Sequence, residues 1–244
     1  MKAMILAAGL GTRLRPLTND RPKALVEIAG RTLLEITIDR LRQFGVSEII
    51  VNVHHFADKV IEYLHTKNNF GIRIVVSREE VLLDTGGGLK KAAWFFLEDG
   101  SAAEPFVVHN VDVISDVDLG RLVESHEQSH ALATVAVQQR ETARYLIFDD
   151  QMQLCGRRFV KEQKIELVRP ADRRQELAFT GIHVISPRLL GMIEDEVVFS
   201  IIQTYLRLAA RGEKIVGSRF DAAYWRDLGK PENVARVAEE IKKR

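Results

Sequence analysis

Short apolar runs alternate with amphipathic stretches through the first 135 residues, and this alternation constrains the fold more than any other feature of the chain. Runs such as residues 3–7 and 48–53 predict buried strands, and residues 32–44, with apolar side chains at helical spacing, predict a helix between them. Such alternation implies right-handed crossovers and a largely parallel sheet with helices on both faces. We therefore expect an α/β fold.

The same patterns locate the remaining elements. Before residue 138 they predict strands at 3–7, 48–53, 72–76, 106–109 and 131–137, and helices at 32–44, 57–65, 88–97 and 118–126. After that point the apolar runs become shorter, and they predict strands at 144–148, 154–155, 165–168 and 178–185, some of them antiparallel. The last part predicts helices at 187–193 and 199–211, a strand at 215–220 and a helix from 231 onward.

We interpret residues 1–244 as one domain, because a chain of this length can bury one substantial core. Its parts are a core at 1–137, a small β-rich insertion at about 138–186, and a closing segment of helices and one strand at 187–244. The insertion is expected to cover one side of the sheet.

Bulk composition excludes several classes of protein. A formal net charge of +1 gives no global basic field, so nucleic acid is not an expected partner. Cys155 is the single cysteine, which excludes an internal disulfide, and no Cys/His cluster has zinc-ligand spacing. The apolar run at the N-terminus is too short for a signal peptide or a membrane span. We expect a cytoplasmic protein without a membrane partner.

The loop after the first strand carries the strongest chemical signal. Alanines and glycines leave its backbone bare, so its N–H groups can approach a phosphate or a base edge. Arg13 supplies a forked donor suited to phosphate oxygens, and Lys23, after Pro22 in an extended segment, supplies a compact charge. The residues of this loop that could contact a phosphate or a base edge are Leu6, Ala7, Ala8, Gly9, Gly11, Thr12, Arg13 and Lys23.

Three other interpretations compete for this loop. The dinucleotide fingerprint G-x-G-x-x-G would need a glycine where Leu14 stands, and an acidic residue at the end of the second strand, where the chain has Asn52 and His54. The phosphate loop G-x-x-x-x-G-K-[ST] matches no segment. A purely structural turn with solvated charges does not account for a motif of this length followed by Pro-Lys.

Residues 6–18, with Pro22 and Lys23, resemble the signature of the nucleoside-diphosphate-sugar pyrophosphorylases, L-x-x-G-x-G-x-R-L-x-P-L-T followed by P-K. The similarity in organisation covers almost the whole chain. It implies a GT-A-like, Rossmann-type mixed sheet that is mostly parallel, with the nucleotide held by residues 1–137 and the sugar by about 138–186. It also implies that the residues of this loop named above bind the nucleotide, and that Arg13 and Lys23 are catalytic, through contacts with phosphates.

This family's reaction transfers a nucleoside monophosphate from a nucleoside triphosphate to a sugar 1-phosphate and releases pyrophosphate. The reaction requires a divalent cation, and we expect Mg²⁺, which prefers carboxylates, phosphate oxygens and water. Asp112 follows a buried strand, and Asp227 lies in a segment similar to the family's W-x-D-[IVL]-G-T-P, so both are expected metal ligands. The alternatives are a turn residue for Asp112 and a helix cap for Asp227.

Two departures from the family pattern lie beside these aspartates. Val111 stands where a glycine is common, and Lys230 stands where a threonine is common. Asn110 resembles the N-G-D form of some members, which implies a contact with the ribose.

The segment 83–88 opens a predicted helix with three successive glycines. The resemblance places it beside the base and the sugar, with Thr85 and Gly86 at the nucleotide and Gly87 at the sugar. Its L-[ED]-T-G-G-G form looks most like that of the N-acetylmuramate-1-phosphate uridylyltransferases. Asp84 or Thr85 could instead be the helix N-cap. Glu79 falls near the base-reading position, although a solvated loop charge is the alternative for it.

The sugar site is expected in the β-rich insertion. Residues 179–182 resemble the family's T-G-[IL]-Y strand, which implies sugar contacts from Thr180 and Gly181. Glu166 is similar to the acidic residue of an E-x-K-P stretch, with Arg169 in place of the usual lysine. The loop histidine His54 is interpreted as structural or solvated.

The sequence therefore predicts an enzyme that makes a nucleoside-diphosphate sugar, with UTP favoured as the donor. A mannose- or heptose-1-phosphate guanylyltransferase is the alternative among enzymes, and a non-catalytic nucleotide-sugar sensor is the alternative from another class. The expected partners are a nucleoside triphosphate and a sugar 1-phosphate, and a homodimer is one option for the assembly.

Overall fold

The computed structural model describes residues 1–98 and 104–242, and a ten-stranded sheet runs through it. The strands that the structure describes are β1 (Lys2–Leu6), β2 (Glu27–Ile28), β3 (Arg31–Thr32), β4 (Glu48–Val53), β5 (Arg73–Arg78), β6 (Phe106–Asn110), β7 (Val113–Ser115), β8 (Ala133–Gln138), β9 (Arg144–Phe148), β10 (Leu154–Phe159), β11 (Lys164–Leu167), β12 (Gln175–Ile185), β13 (Ile215–Arg219) and β14 (Trp225–Asp227). Two pairs, β2 with β3 and β7 with β14, lie outside the ten-stranded sheet. The α-helices are α1 (Leu33–Gln43), α2 (Ala57–Thr66), α3 (Asp84–Leu97), α4 (Leu119–Ser129), α5 (Ile201–Ala210) and α6 (Pro231–Lys242).

The order of the large sheet is β11-β10-β9-β12-β6-β1-β4-β5, and β8 joins it by pairing with β12 and β13. The four strands β6, β1, β4 and β5 are mutually parallel, whereas β12 runs antiparallel to β6. Helices cover the parallel strands, so the predicted α/β fold with a mixed sheet is confirmed.

The two faces of β1 show why helices lie on both sides of the sheet. Successive side chains of a strand point to opposite faces. Ala3 and Ile5 accordingly pack in one buried cluster, with side chains of α1, α2, α4 and α6. Met4 packs in a second cluster, with side chains of α3 and α5. The parallel strands are thus buried on both faces, as their nearly continuous apolar sequence requires.

The β-rich insertion differs from the expectation that it covers one side of the sheet. Its strands β9, β10 and β11 extend the edge of the same sheet, because β12 is eleven residues long and pairs with two sets of strands. Residues Gln175, Glu176 and Leu177 pair with β9, while the C-terminal half of β12 pairs with β6 and β8.

Helix α3 begins four residues earlier than predicted, so the three glycines at 86–88 belong to its first turns. Four short strands, β2, β3, β7 and β14, were also not predicted. The helix predicted at 187–193 is a 3₁₀ helix, Pro187–Met192. Residues 243–244 of the predicted closing segment lie outside the described residues. None of the helices that the structure describes is both long and apolar enough to cross a membrane.

Candidate functional site

A cavity of about 670 Å³ opens at the carboxyl ends of β1, β4 and β6. We call it the first-loop cavity, because the loop after β1 forms part of its wall. Open α/β sheets bind ligands at this end of their strands. Of the residues expected to form the site, those that line the cavity are Leu6, Ala8, Gly9, Arg13, Lys23, Thr85, Asn110 and Asp112.

Hydrogen bonds within the first loop fix its conformation. Gly11 has φ +64°, in the left-handed region, and the 3₁₀ helix Thr12–Leu14 follows it. Its carbonyl oxygen accepts hydrogen bonds from the Leu14 N–H and from the Thr18 hydroxyl, both at 2.8 Å. A Cβ at Gly11 would lie only 3.0 Å from Thr18 Cγ2, whereas a Cβ at Gly9 would meet nothing within 4 Å. Gly11 therefore shapes the turn, and Gly9 leaves open backbone toward the cavity.

Asn52, at the end of β4, connects this loop to the neighbouring strand. Its Oδ1 accepts a hydrogen bond of 2.7 Å from the Ala7 N–H, and its Nδ2 donates one of 2.7 Å to Glu79 Oε1. Glu79 Oε2 accepts from the Leu83 N–H at 3.0 Å. Both oxygens of Glu79 thus have protein donors, and the residue is 3% exposed. This differs from both sequence interpretations of Glu79, because it neither lines the cavity nor lies in solvent.

The lysine of the first loop is paired with the aspartate after β6. Lys23 Nζ donates to Asp112 Oδ2, and both side chains are largely buried in the cavity wall. The guanidinium of Arg13 lies against the backbone at Gly229, where a Cβ would be 2.9 Å from Nη2. Gly229 in turn donates its N–H to Asp227 Oδ1 at 2.6 Å. The first loop therefore approaches both expected metal ligands.

The two aspartates lie on adjacent backbone segments. Strands β7 and β14 pair in antiparallel fashion with Asp227 opposite Val113, and the Leu228 N–H donates to the Asp112 carbonyl at 2.8 Å. Residues 115 apart in the chain are thus brought next to each other. Arg140 lies nearby, with its guanidinium 3.5 Å from the centre of the Trp225 ring. Burial lowers the pKa of Arg140, and the charge of Asp227 acts in the opposite direction.

The two carboxylates at this point are donors of the kind that magnesium takes. Among the described residues no group of three or more His, Cys, Asp and Glu side chains could hold a metal ion by itself. Magnesium sites typically take one or two carboxylates and complete the shell with phosphate oxygens and water. The pairing of Lys23 with Asp112 shows that this carboxylate already attracts a cation.

The three glycines of α3 meet protein atoms. The N–H groups of Gly86 and Gly87 both donate to the Phe199 carbonyl, at 2.9 and 3.3 Å. A Cβ at Gly86 would overlap the Phe199 ring, and one at Gly87 would overlap the Val197 carbonyl. These glycines thus allow α3 to pack against the segment before α5. Thr85 lines the first-loop cavity, and Gly86 and Gly87 do not.

The N-cap of α3 is Leu83, so neither Asp84 nor Thr85 takes that role. The Thr85 hydroxyl accepts a hydrogen bond of 3.0 Å from the Ile201 N–H, which ties α3 to the start of α5.

The residues expected to contact the sugar are placed differently. The Thr180 hydroxyl donates to the Ala136 carbonyl at 2.9 Å, and the residue is 1% exposed. Gly181 has φ +83°, and a Cβ there would lie 2.8 Å from Asn110 Nδ2, so this glycine makes room for Asn110. Glu166 is paired with Arg157 at 2.7 Å and lines a separate cavity. The structure therefore brings none of Thr180, Gly181 and Glu166 into the wall of the first-loop cavity.

Other residues of the second half form this wall, and apart from Phe179, which begins the 179–182 stretch, they lie outside the motifs recognised in the sequence. They are Arg144, Phe179, His183, Val198, Ser200, Ile201 and Ile202. Their positions depend on the pairing of β12 with β6, β8 and β9 and on the docking of α5 against α3, which a single sequence does not reveal. For Asn52 a signal existed, because it ends a strand at the place where the dinucleotide fingerprint would have an acidic residue.

The buried histidines of this region are neutral near pH 7. Burial lowers the pKa of His183 to about 3, and the charge of His109 acts in the same direction. The His183 ring is hydrogen-bonded to the Tyr205 hydroxyl. Burial likewise lowers the pKa of His109 to about 4. His54 Nδ1 lies 2.9 Å from the Glu79 carbonyl, in agreement with a structural role.

The chain is similar to known proteins over almost its whole length. The family model for nucleotidyl transferases matches residues 2–244. The chain is 36% identical to an N-acetylmuramate alpha-1-phosphate uridylyltransferase from Caulobacter vibrioides, with 98% of this chain and 96% of the relative covered. It is 34% identical to a mannose-1-phosphate guanyltransferase from Yarrowia lipolytica, and there the match covers 96% of this chain but only 62% of the relative.

Solved structures show the same fold. HddC from Yersinia pseudotuberculosis, complexed with GMP-PN, aligns with a TM-score of 0.77 at 23% identity, over 98% of this chain and 99% of that one. A UDP-glucose pyrophosphorylase complexed with UDP-glucose aligns with a TM-score of 0.76 at 18% identity, over 100% of this chain and 99% of that one.

Proposed function

Because the chain belongs to the nucleotidyl transferase family, we propose that it transfers a uridylyl group from UTP to a sugar 1-phosphate. The products are a UDP-sugar and pyrophosphate. The uridylyltransferase relative supports this choice of donor, since its match covers nearly the full length of both chains. The observation that carries the proposal is the convergence of Arg13, Lys23 and Asp112 in one cavity, with Asp227 paired beside them.

The first loop binds the triphosphate in this proposal. The nucleotide binds against the open backbone at Ala8 and Gly9, and the residues from Leu6 to Thr12 contact it. Arg13 and Lys23 are the catalytic residues, because two cations aimed at the α-phosphate stabilise the charge that accumulates there in the transition state. Asn110 contacts the ribose, and Gly181 leaves room for its side chain because glycine has no Cβ.

Asp112 and Asp227 are the proposed magnesium ligands. Lys23 exchanges its partner in this scheme, since the ammonium that pairs with Asp112 turns to the phosphates when the donor binds. When bound, the metal ion supplies screening of the phosphate charges and helps to orient the triphosphate. The two carboxylates would hold the ion near the carboxyl end of β6.

No side chain is required to remove a proton from the acceptor. A phosphate monoester has its second ionisation at about pH 6, so the sugar phosphate is a nucleophile near neutral pH. The protein aligns the phosphate oxygen with the α-phosphorus and excludes water from the approach. The neutral His183 adds no charge of its own to that wall.

A guanylyltransferase is the second candidate, supported by the mannose-1-phosphate guanyltransferase relative, of which the chain spans 62%. A matrix of the four nucleoside triphosphates against several sugar 1-phosphates, with magnesium, tests both candidates through pyrophosphate release. We expect release with UTP. Release with GTP alone would establish the guanylyltransferase, and no release from any pair would leave only a nucleotide-sugar sensor.

A further inference from the structure

His183 lines the first-loop cavity although the residue is only 1% exposed. It lies on β12 and pairs with Val108 of β6, two residues before Asn110 at the carboxyl end of that strand. Since a strand rises about 3.3 Å per residue, the pair lies roughly 7 Å below that end. His183 therefore belongs to the floor of the cavity and not to its rim.

Tyr205 of α5 is the hydrogen-bond partner of this ring. Its hydroxyl meets Nδ1 of His183, and both side chains are buried. Burial raises the pKa of Tyr205 well above the ordinary value of a phenol, so the hydroxyl keeps its proton. Within residues 1–98 and 104–242, this hydroxyl has no other hydrogen-bond partner. It therefore donates to Nδ1, because a buried O–H without an acceptor is costly.

This hydrogen bond fixes the tautomer of His183. Burial lowers the pKa of the ring to about 3, so the ring is neutral near pH 7 and carries one N–H proton. Because Nδ1 accepts from Tyr205, that proton lies on Nε2. Among the described residues Nε2 has no protein partner, and it is not enclosed by protein as the unpaired Nε2 of His109 is. His183 thus presents a free N–H donor to the cavity.

The position of this donor favours a contact with the sugar. The phosphates are expected at Arg13 and Lys23, and Lys23 pairs with Asp112 after the end of β6. His183 lies on the neighbouring strand, on the side of the β-rich insertion, and below that strand end. The rings of Phe179 and His183 are perpendicular, with 5.4 Å between their centres. A neutral donor beside an aromatic ring suits an uncharged oxygen, such as that of a hydroxyl or a carbonyl.

We propose that Nε2 of His183 donates a hydrogen bond to an uncharged oxygen of the sugar, and that Tyr205 is the positioning residue that holds the ring in the required tautomer. This inference rests on the proposed function, because it names a contact with the sugar of that reaction. It also accounts for a departure from the family's T-G-[IL]-Y strand. His183 stands at the tyrosine of that pattern and keeps a hydrogen-bond donor there.

NMR of protein that contains nitrogen-15 histidine tests the contact without turnover. The spectrum of His183→Gln identifies the signals of His183 by their loss. In the wild-type protein near pH 7 we expect a protonated Nε2 and an unprotonated Nδ1. Saturating UDP-glucose should shift the Nε2–H signal, whereas UDP, which lacks the sugar, should leave it in place. An equal shift with UDP would overturn the inference, and so would the absence of a shift with either ligand.

Removal of the donor tests its contribution to binding. In calorimetric titration His183→Phe should bind UDP-glucose about 3- to 10-fold more weakly, as loss of one neutral hydrogen bond predicts. Its binding of UDP should stay unchanged, and His183→Gln, which keeps an N–H donor, should recover part of the loss. The control is His126→Gln, a buried histidine that does not line the cavity and should leave both affinities unchanged. Equal losses for UDP and UDP-glucose in His183→Phe would contradict a contact with the sugar.

The role of Tyr205 has its own signature. Tyr205→Phe removes the hydroxyl and leaves the imidazole in place, so Nδ1 should become protonated in part of the molecules. UDP-glucose should then bind more weakly, while UDP binds as before. A merely structural Tyr205 would change stability but not the nitrogen signals of His183. Unchanged signals in this variant would overturn its role as a positioning residue.

The failure of this inference can be distinguished from failure of the proposed function. If pyrophosphate is released with UTP but His183 does not respond to UDP-glucose, only the inference fails. If GTP alone reacts, the same titration with GDP-mannose and GDP tests the contact. If no triphosphate and acceptor pair reacts, the proposed function fails, and the response of His183 to UDP-glucose still decides whether it binds the sugar.

Discussion

At the scale of single residues, the buried carboxylate of Glu79 shapes the first-loop cavity although it does not line it. Its two oxygens accept hydrogen bonds from Asn52 and from the Leu83 N–H, and Asn52 in turn holds the Ala7 N–H. Glu79 is thus a positioning residue, which fixes the distance between the first loop and the start of α3.

We expect Glu79→Gln to lower the free energy of unfolding by about 1–3 kcal/mol, because the new amide NH₂ would face one of the two donors. The KM for the triphosphate should rise in the same variant, since Asn52 no longer holds the loop in place. Chemical denaturation and steady-state kinetics measure the two effects. The neighbouring Glu80 is exposed, and Glu80→Gln serves as the control, with a change within about 0.5 kcal/mol. Equal stability of the two variants would contradict the role of Glu79.

At the scale of elements, the contact between α3 and the segment before α5 closes one side of the first-loop cavity. Gly86 and Gly87 both bond to the Phe199 carbonyl, and Thr85 bonds to the Ile201 N–H. Because these glycines carry no side chain, α3 can lie close to the segment before α5. The glycines are therefore required for the packing of two helices, and through that packing for the shape of the cavity.

Substitution Gly86→Ala tests this contact. The new Cβ would overlap the Phe199 ring, and overpacking of this kind costs about 1–3 kcal/mol in the free energy of unfolding. Gly191→Ala is the matched control, because a Cβ there would meet nothing within 4 Å. Thermal or urea unfolding of both variants checks the prediction, and an unchanged stability of Gly86→Ala would show that α5 does not pack as described.

The sequence predicted those elements whose signal is local. The parallel strands and their helices were predicted because their apolar periodicity spans a strand or several helical turns, and the family was predicted from a long motif in the first loop. The match of the family model over residues 2–244 confirms that prediction. Strands β7 and β14 were missed because three residues are too few to show a period.

The remaining features depend on tertiary contacts. The length of β12 and its two sets of partners place the insertion at the sheet edge, and no local pattern shows this pairing. Arg144 reaches the cavity through that arrangement. The glycines of α3 were assigned to a ligand because a bare backbone admits a protein side chain as readily as a substrate. The residue assignments, the limits of the three parts, the cytoplasmic location and the assembly state stay predictions.

At the scale of the whole molecule, three buried histidines make the fold sensitive to acid. Burial lowers the pKa of His109 and His126 to about 4 and that of His183 to about 3. The unfolded chain, with histidine pKa values of about 6.5, binds these protons more readily than the native state. Stability from the neutral rings is therefore fully present above about pH 6.5 and is lost progressively as the pH falls toward 4.

Each of these histidines should reduce the free energy of unfolding by about 2 kcal/mol between pH 7 and pH 5. Urea denaturation at the two pH values measures the loss. His126 lies away from the first-loop cavity, and its ring is hydrogen-bonded to the Thr134 hydroxyl. His126→Gln should therefore reduce the loss of unfolding free energy between the two pH values by about 2 kcal/mol. A loss of the same size in this variant would mean that His126 does not contribute.

The central claim is that Asp112 and Asp227 hold one cation beside the first loop, and a double-mutant cycle tests it most directly. With magnesium and UTP, Asp112→Asn and Asp227→Asn should each lower kcat by about 100-fold or more, and the double variant should fall little further, because a shared ion is lost only once. Asp116→Asn, on the same pair of backbone segments, is the control with a small effect. Losses that multiply in the double variant would contradict a shared ion.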